Sequence, residues 1–240
     1  DFVGVRDLDS FATARSIAPN ANIHFTFDLA PLLLHRTDFT LKEIPRRGIA
    51  INLCPVGDMS GNSIQDTQRL NEMAQAIKNI WQQTGEPIEL IDINGHAHEG
   101  DFRLHQRLTQ MLAATAPVTS VEYDANPLRL LQRLAGYRAI VSMRLHGAIL
   151  GFLAGTPVLS LNYHSKCVGW CEQAGMPQSY RFDANHFSGH LLAEHLIAGL
   201  QTGFTPSALT PAQASQLALS NWSKSYESSS QRLHSCYSSL

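Results

Sequence analysis

Lysine is scarce in this chain: of 18 cationic side chains in 240 residues, four are Lys and 14 are Arg. Set against 20 acidic residues they leave a formal charge of -2, so no basic surplus exists to hold nucleic acid or an anionic membrane. The Arg bias matters in a different way, because a planar guanidinium grips a carboxylate or phosphate through two hydrogen bonds where an ammonium offers a point charge. Long apolar runs are also missing. No stretch of 18 apolar residues occurs, and the N-terminus lacks the basic-then-apolar layout of a signal peptide, so a cytoplasmic protein without a membrane span is expected. Cysteine is limited to Cys54, Cys167, Cys171 and Cys236, too few and too scattered for a disulfide framework or a four-thiolate zinc site. What is present in quantity is hydrophobic residues, 44% of the chain, which is enough for a substantial core and excludes disorder, collagen and coiled coil.

The apolar pattern divides the chain. Phe2 to Val5 and Ile23 to Phe27 read as strands, with Arg6, Asp7 and Ser10 starting a helix between them. Residues Leu34 to Arg47 show neither periodicity and suit a linker, which puts a domain boundary near Gly48: residues 1–47 would be the end of an N-terminal α/β domain, and 48–240 a second domain. The chain opens on Asp1 within a strand pattern, as expected of a piece of a longer polypeptide. Past Gly48, strands are expected at Ile49 to Leu53, Pro87 to Ile93, Arg138 to Met143 and Val158 to Tyr163. Helices are expected around Leu70 to Trp81, after Asp101 as N-cap, after Asn126-Pro127, over Leu145 to Ala154 and over Lys166 to Ala174. Gly136 would close the third of these in a left-handed conformation, and Thr210-Pro211 would start a last helix before a fraying Ser-rich end. Strand-helix alternation of this length specifies a doubly wound parallel sheet, since parallel strands need right-handed crossovers.

In such a sheet ligands bind beyond the carboxyl ends of the strands, where helix N-termini offer free backbone N–H groups to anions. The segment VSMRLHGAILG occupies such a place. Arg144 and His146 would emerge past a buried strand, Gly147 would keep the helix start open to a ligand, and Asn162, Tyr163 and Lys166 would follow from the next strand end. Arg144, Gly147, Asn162, Tyr163 and Lys166 are therefore the candidate substrate-binding residues of an anion site, and His146 is the candidate catalytic one. Elsewhere, His96, His98, Glu99, Asp101 and His105 have a metal-like composition but no metal-module spacing, and read as a polar loop ahead of a helix cap. Gly57 and Gly61 lack the Lys-Ser/Thr ending of a phosphate loop and read as turn glycines. Cys167 and Cys171, four apart, have ordinary core spacing.

Arg144-Leu145-His146-Gly147 within VSMRLHGAILGFLAGTPVLSLNYHSK resembles the signature of the polysaccharide pyruvyl transferase family. Val5 to Ser10, VRDLDS, is similar to that family's "VRD..S" segment, and Asp28-Leu29-Ala30 to its "DPA", with Leu29 in place of proline. The resemblance implies a two-domain glycosyltransferase-B-like architecture. It implies transfer of pyruvate from phosphoenolpyruvate to a saccharide as a ketal, in exopolysaccharide or cell-wall polysaccharide synthesis, with donor binding and catalysis falling to Arg144, His146 and Lys166. No metal and no cofactor beyond the phosphoenolpyruvate donor are expected. The acceptor would be a saccharide or lipid-linked saccharide, the latter bringing peripheral membrane association. The family's glycine-rich beginning has no counterpart here, so the acceptor half of the cleft is expected to be incomplete in this chain.

The chemistry independently asks for these residue types. The carboxylate and phosphate of the donor need fixed cations, and a proton must reach the enol carbon or the departing phosphate, which suits the imidazole of His146 as general acid. A base for the acceptor hydroxyls could be Asp7, Asp28, Asp101, Glu122 or Asp124, and the sequence does not choose among them. Two other functions compete: a nucleotide-sugar glycosyltransferase, against which stands the lack of any Asp or Glu from Leu145 to Ser160, and a catalytically silent glycan-binding protein.

Overall fold

The computed structural model describes residues 2–56 and 63–222, so Gly57, Gly61 and Cys236 lie outside the described residues. The chain forms two compact units. One comprises residues up to Asp38 together with those from Leu209 on; the other is the continuous segment Phe39–Ala208.

In the first unit, β1 (Phe2–Val5), α1 (Leu8–Ile17) and β2 (Asn22–Phe25) make a parallel β-α-β unit with Val5 opposite Phe25. Asp7 caps α1 by accepting the Ser10 N–H at 2.8 Å and the Ser10 hydroxyl at 2.8 Å. Arg6 pairs with the buried carboxylate of Asp28, which also accepts the Ala30 N–H at 2.9 Å. The VRDLDS and DLA segments thus meet at the ends of the two strands. A further helix, α8 (residues 211–222), belongs to this unit: Ser215 donates to the Pro31 carbonyl at 3.1 Å and Asn221 to that of Phe27 at 3.0 Å. The sequence pattern assigns α8 to the second domain, whereas these bonds attach it to the first unit. Likewise the division falls after Asp38 and not near Gly48, because the Lys42 N–H donates to Gln132 and the Arg47 N–H to the Gly136 carbonyl, both in the second unit.

The second unit is one six-stranded, all-parallel sheet. Its elements in chain order are β3 (Ile49–Asn52), α2 (Ile64–Thr84), β4 (Ile88–Ile91), α3 (Phe102–Leu112), β5 (Val118–Val121), α4 (Pro127–Leu134), β6 (Ala139–Ser142), α5 (Leu145–Leu153), β7 (Val158–Asn162), α6 (Ser165–Gln173), β8 (Arg181–Asp183) and α7 (Gly189–Thr202). The strand order β5-β4-β3-β6-β7-β8 runs outward one way from β3, then returns to its other side with β6. That reversal is a topological switch point, where the ends of β3 and β6 diverge into loops on opposite sides and leave a crevice. Every residue of β3 and β6 is buried, as expected of central parallel strands covered on both faces.

Helix α2 starts at Ser63, which accepts the Asp66 N–H at 3.0 Å, and buries Leu70, Met73, Ile77 and Ile80 along one face. Each fully buried side chain of this size contributes roughly 1.5–3 kcal/mol, so packing rather than helix propensity holds α2 in place. Part of that face meets α7, and Gly189 sets the distance: a Cβ there would overlap the Glu72 carbonyl, so the helices approach at backbone range. Strands β5 and β8 and helix α7 extend the fold beyond the sequence reading. Gly136 is a correction: it does not take a left-handed conformation, which among the described residues belongs to Gly48, Gly85, Gly155, Gly175 and Gly203. The space its side chain would need is bounded by Ile44 at 3.0 Å. No helix among the described residues is long and apolar enough to cross a membrane.

Candidate functional site at the switch point

The site is built on Asn52, the last residue of β3, whose register partner is Ser142, the last residue of β6. Asn52 is buried, so both ends of its amide need partners. Its Nδ2 donates to the Ile91 carbonyl at 3.0 Å and to Asp101 Oδ2 at 2.9 Å, while Oδ1 accepts the Arg144 N–H at 3.0 Å. One side chain thereby joins the ends of β3 and β4, the entrance of α3 and the turn leading into α5.

Asp101 is fully buried, and its carboxylate does not cap α3 as the sequence suggests. It turns back to the strand ends, where Oδ2 also accepts the N–H groups of Ile93 at 2.9 Å and Asn94 at 3.1 Å. Oδ1 accepts the Arg144 Nε–H at 2.9 Å and lies 2.8 Å from Nη2 in the same ion pair. With its lone pairs engaged and no exposure, Asp101 cannot serve as the general base that the sequence allows it to be. Arg144 keeps 21% of its side-chain surface exposed and donates once more from Nη2, to the Glu99 carbonyl at 2.9 Å.

One turn beyond Asp101, His105 is buried as well. The Leu53 N–H donates to its Nε2 at 3.0 Å, so the ring proton sits on Nδ1 and goes to Asp92 Oδ1 at 2.6 Å. His105 is therefore a structural strut between β3, β4 and α3. His96 stays in the loop, its Nδ1 accepting the N–H groups of His98 at 3.3 Å and Glu99 at 3.1 Å. Among the described residues no group of three or more His, Cys, Asp or Glu converges as a metal site.

Arg144 is the N-cap of α5 but makes no side-chain cap, so the first N–H groups of that helix point out of the strand end without a capping side chain. His146 lies in this first turn and is exposed. Gly147, by contrast, is buried, and a Cβ on it would overlap Ser142 Oγ. The missing side chain lets α5 seat on the end of β6. From β7, Asn162 turns its Oδ1 to Ser160 Oγ at 2.8 Å and Cys171 Sγ at 3.6 Å, toward the strand and helix beneath it. Tyr163 is half-buried; burial pushes its phenol above the usual range, and the Arg144 guanidinium pulls against that shift. Lys166 Nζ stands 5.9 Å from the Tyr163 ring centroid, and its backbone N–H donates to His164 Nδ1, which caps α6, at 3.2 Å. Tyr163 thus neighbours both Arg144 and Lys166. Cys54, just past β3, is buried, and its thiol is pushed up to about 12 by that burial, which makes it inert.

The other base candidates are committed elsewhere: Asp7 to its helix cap, Asp28 to Arg6, and Asp124 to Arg129 at 2.7 Å. Glu122 is exposed just past β5, the edge strand farthest along from β3 on that side. Asn52 is the residue sequence reasoning missed. Its signal was a lone amide ending the fully apolar run Ile49-Ala50-Ile51.

Comparison with known proteins adds three findings. The family model described as "Polysaccharide pyruvyl transferase" matches residues 1–165, taking in Arg144, His146 and Tyr163 and ending one residue before Lys166. The amylovoran biosynthesis protein AmsJ of Erwinia amylovora is 33% identical over 71 residues, which is 30% of this chain and 17% of that protein. Among solved structures, a putative UDP-N-acetylglucosamine 2-epimerase from Listeria monocytogenes aligns with a TM-score of 0.55 at 13% identity, covering 85% of this chain and 54% of that one. UDP-GlcNAc 2-epimerase from Neisseria meningitidis, bound to UDP-GlcNAc, gives 0.52 at 13%, covering 91% and 59%. The structural likeness is one of fold, α/β and glycosyltransferase-B-like, and the chain spans little more than half the length of either epimerase.

Proposed function

The chain belongs to the polysaccharide pyruvyl transferase family, and from that premise we propose that it transfers pyruvate from phosphoenolpyruvate to a saccharide as a ketal, in the synthesis of an exopolysaccharide or cell-wall polysaccharide. The observation that carries this reading is the partly exposed Arg144 side chain at the uncapped start of α5, with His146 in the same turn. The partial likeness to an amylovoran biosynthesis protein supports the polysaccharide setting.

Arg144, Lys166 and the α5 N–H groups bind the donor carboxylate and phosphate, with Tyr163 neighbouring both cations. His146 delivers a proton to the enol carbon, C3 of the donor, which leaves C2 electron-poor and open to a sugar hydroxyl. The C2–O bond to phosphate then breaks, a second hydroxyl of the same sugar adds at C2, and inorganic phosphate leaves. Of the two hydroxyl protons released, one balances the proton taken up at C3 and the other leaves with phosphate. Asn162, partly buried with its Oδ1 turned to Ser160 and Cys171, and Gly147, which seats the helix, border the same donor surface. The acceptor is a soluble or lipid-linked saccharide, with peripheral membrane association in the lipid-linked case.

The test is release of phosphate from phosphoenolpyruvate with a panel of saccharides, with nucleotide sugars as control donors. Release that depends on the acceptor is the expected result. Arg144→Ala should chiefly weaken donor binding, because its contact forms with ground-state donor as well as in the transition state. His146→Gln should lower turnover by roughly 100- to 10,000-fold, the usual worth of general acid catalysis. A His146→Gln variant with near-parental turnover but collapsed donor affinity would reassign His146 to binding.

A further inference from the structure

Asp101 is the most heavily engaged side chain at the switch point, and the pattern of its bonds is informative. Its two oxygens divide their work: Oδ2 takes three neutral donors, from Asn52, Ile93 and Asn94, and Oδ1 takes Arg144 alone. Toward Asp101 and Glu99, Arg144 turns Nε and Nη2, the side edge of the guanidinium: Nε donates to Asp101, while Nη2 pairs with the same oxygen and donates to the Glu99 carbonyl; Tyr163 neighbours the same guanidinium. A guanidinium has five N–H donors, so the two on Nη1 lie on the edge turned away from this tether. The backbone of Arg144 is fixed as well, since Asn52 Oδ1 accepts its N–H. A long side chain that would otherwise sample many rotamers is held at its root, along one edge and at one tip.

Resting on the reading of the site as a phosphoenolpyruvate site, we infer that Asp101 is a positioning residue for the donor grip: by taking the side edge of Arg144 it presents Nη1 to the donor anion. The pair is formally neutral, so its value to binding is orientation. The rotamer entropy of Arg144 is lost on folding and not on binding, and the anion meets a donor pair already aimed. Asp101 touches no substrate in this account.

The test is a double-mutant cycle between Asp101→Asn and Arg144→Ala in the full 240-residue chain, read as the equilibrium dissociation constant for phosphoenolpyruvate. Asn at position 101 keeps one oxygen for the neutral donors and sets an NH2 group against the guanidinium, which frees it. The expected result is a loss of affinity of about 10- to 100-fold for Asp101→Asn, the worth of one charge-assisted hydrogen bond, and no further loss when it is added to Arg144→Ala. A purely structural Asp101 would act in both backgrounds alike, and additive losses overturn the inference. Arg144→Lys covers the case in which Asp101→Asn does not fold, because an ammonium keeps the ion pair but has no second edge to present. It should match the affinity loss while unfolding near the parental midpoint, and parental affinity in this variant also overturns the inference. A parent chain that binds no phosphoenolpyruvate overturns the functional reading and the inference with it; a parent that binds, with Arg144→Ala weakened and Asp101→Asn unaffected, overturns the inference alone.

Discussion

Replacing Gly147 by alanine separates a packing role from a ligand-binding one. A Cβ at this position overlaps Ser142 Oγ, and Ser142 is fully buried, so its hydroxyl has no open space to rotate into. Displacing it breaks the bond from Ser142 Oγ to the Arg144 carbonyl, 2.9 Å in the parent, at a cost of about 1 kcal/mol. Overpacking adds about 1–3 kcal/mol, and the alanine returns roughly 1 kcal/mol of helix propensity. Gly147→Ala should therefore be destabilised by about 1–3 kcal/mol, a fall in melting temperature of about 2–4 °C for each kcal/mol in a chain of this size. Adding Ser142→Ala removes the overlapping atom and leaves Ser142 Cβ at 3.5 Å and Ile93 Cγ1 at 3.3 Å from the new methyl. The Arg144 carbonyl still accepts the Ala148 N–H at 3.1 Å, so the pair should return to near-parental stability. Thermal melts of the three variants, followed by circular dichroism and paired with phosphoenolpyruvate titrations, decide the matter. A Gly147→Ala variant that melts with the parent yet loses donor affinity would refute the packing argument and return Gly147 to the ligand surface.

Two further outcomes follow from charges away from the switch point. Arg69 and Asp66 form an ion pair that is almost wholly buried, and Arg69 also donates to the Ala184 carbonyl at 3.1 Å and Asn185 at 2.7 Å. Arg69→Met strands the Asp66 carboxylate and should cost about 3–5 kcal/mol in urea unfolding, most of it recovered by adding Asp66→Asn; no difference between single and double variants would show that the pair is not the cause. The Arg129 guanidinium, and after it the Asn126 N–H, hold the exposed Asp124 carboxyl down at about 2. Because this group is depressed from its ordinary 3.8, its contribution to folding is complete above about 4 and disappears as pH falls toward 2. A carboxyl-carbon NMR titration should find the midpoint near 2, and a midpoint near 4 would remove Arg129 as its partner.

The central sheet was legible because β3, β6 and β7 are mostly apolar and almost wholly buried, and are separated by helical periodicity or by glycine stops. The outer strands carry much less of that signal. Val118–Val121 exposes Thr119 and Ser120, and Arg181–Asp183 is three residues long, since an edge strand need not be apolar on both faces. Helix α7 carries a start signal in Ser188 and apolar spacing in Leu192, Leu196 and Ile197. At the site, the positions of Arg144 and His146 followed from strand and helix boundaries. The turning of Asp101 did not, because an Asp ahead of a helix reads the same whether it caps that helix or reaches back to a neighbouring strand. Only the tertiary approach of Asn52 and Arg144 selects the second. Gly147 shows the same limit, as a glycine spared for a ligand and one spared for a serine on the strand below have one letter in common.

The way α8 closes the first unit has a consequence for the order in which the protein assembles during synthesis. Residues 2–38 emerge from the ribosome before Phe39–Ala208, yet the Ser215 and Asn221 bonds that tie α8 to them come from residues made 184 and 194 positions after their partners. The segment between, Phe39–Ala208, is continuous and carries its own sheet, so nothing in its topology obliges it to wait for either flank. Within it the earliest strand, β3, is central, and its partner β6 arrives after β4 and β5. The larger unit therefore closes around its own earliest strand while residues 2–38 and α8 remain apart, and the bonds between them form after that.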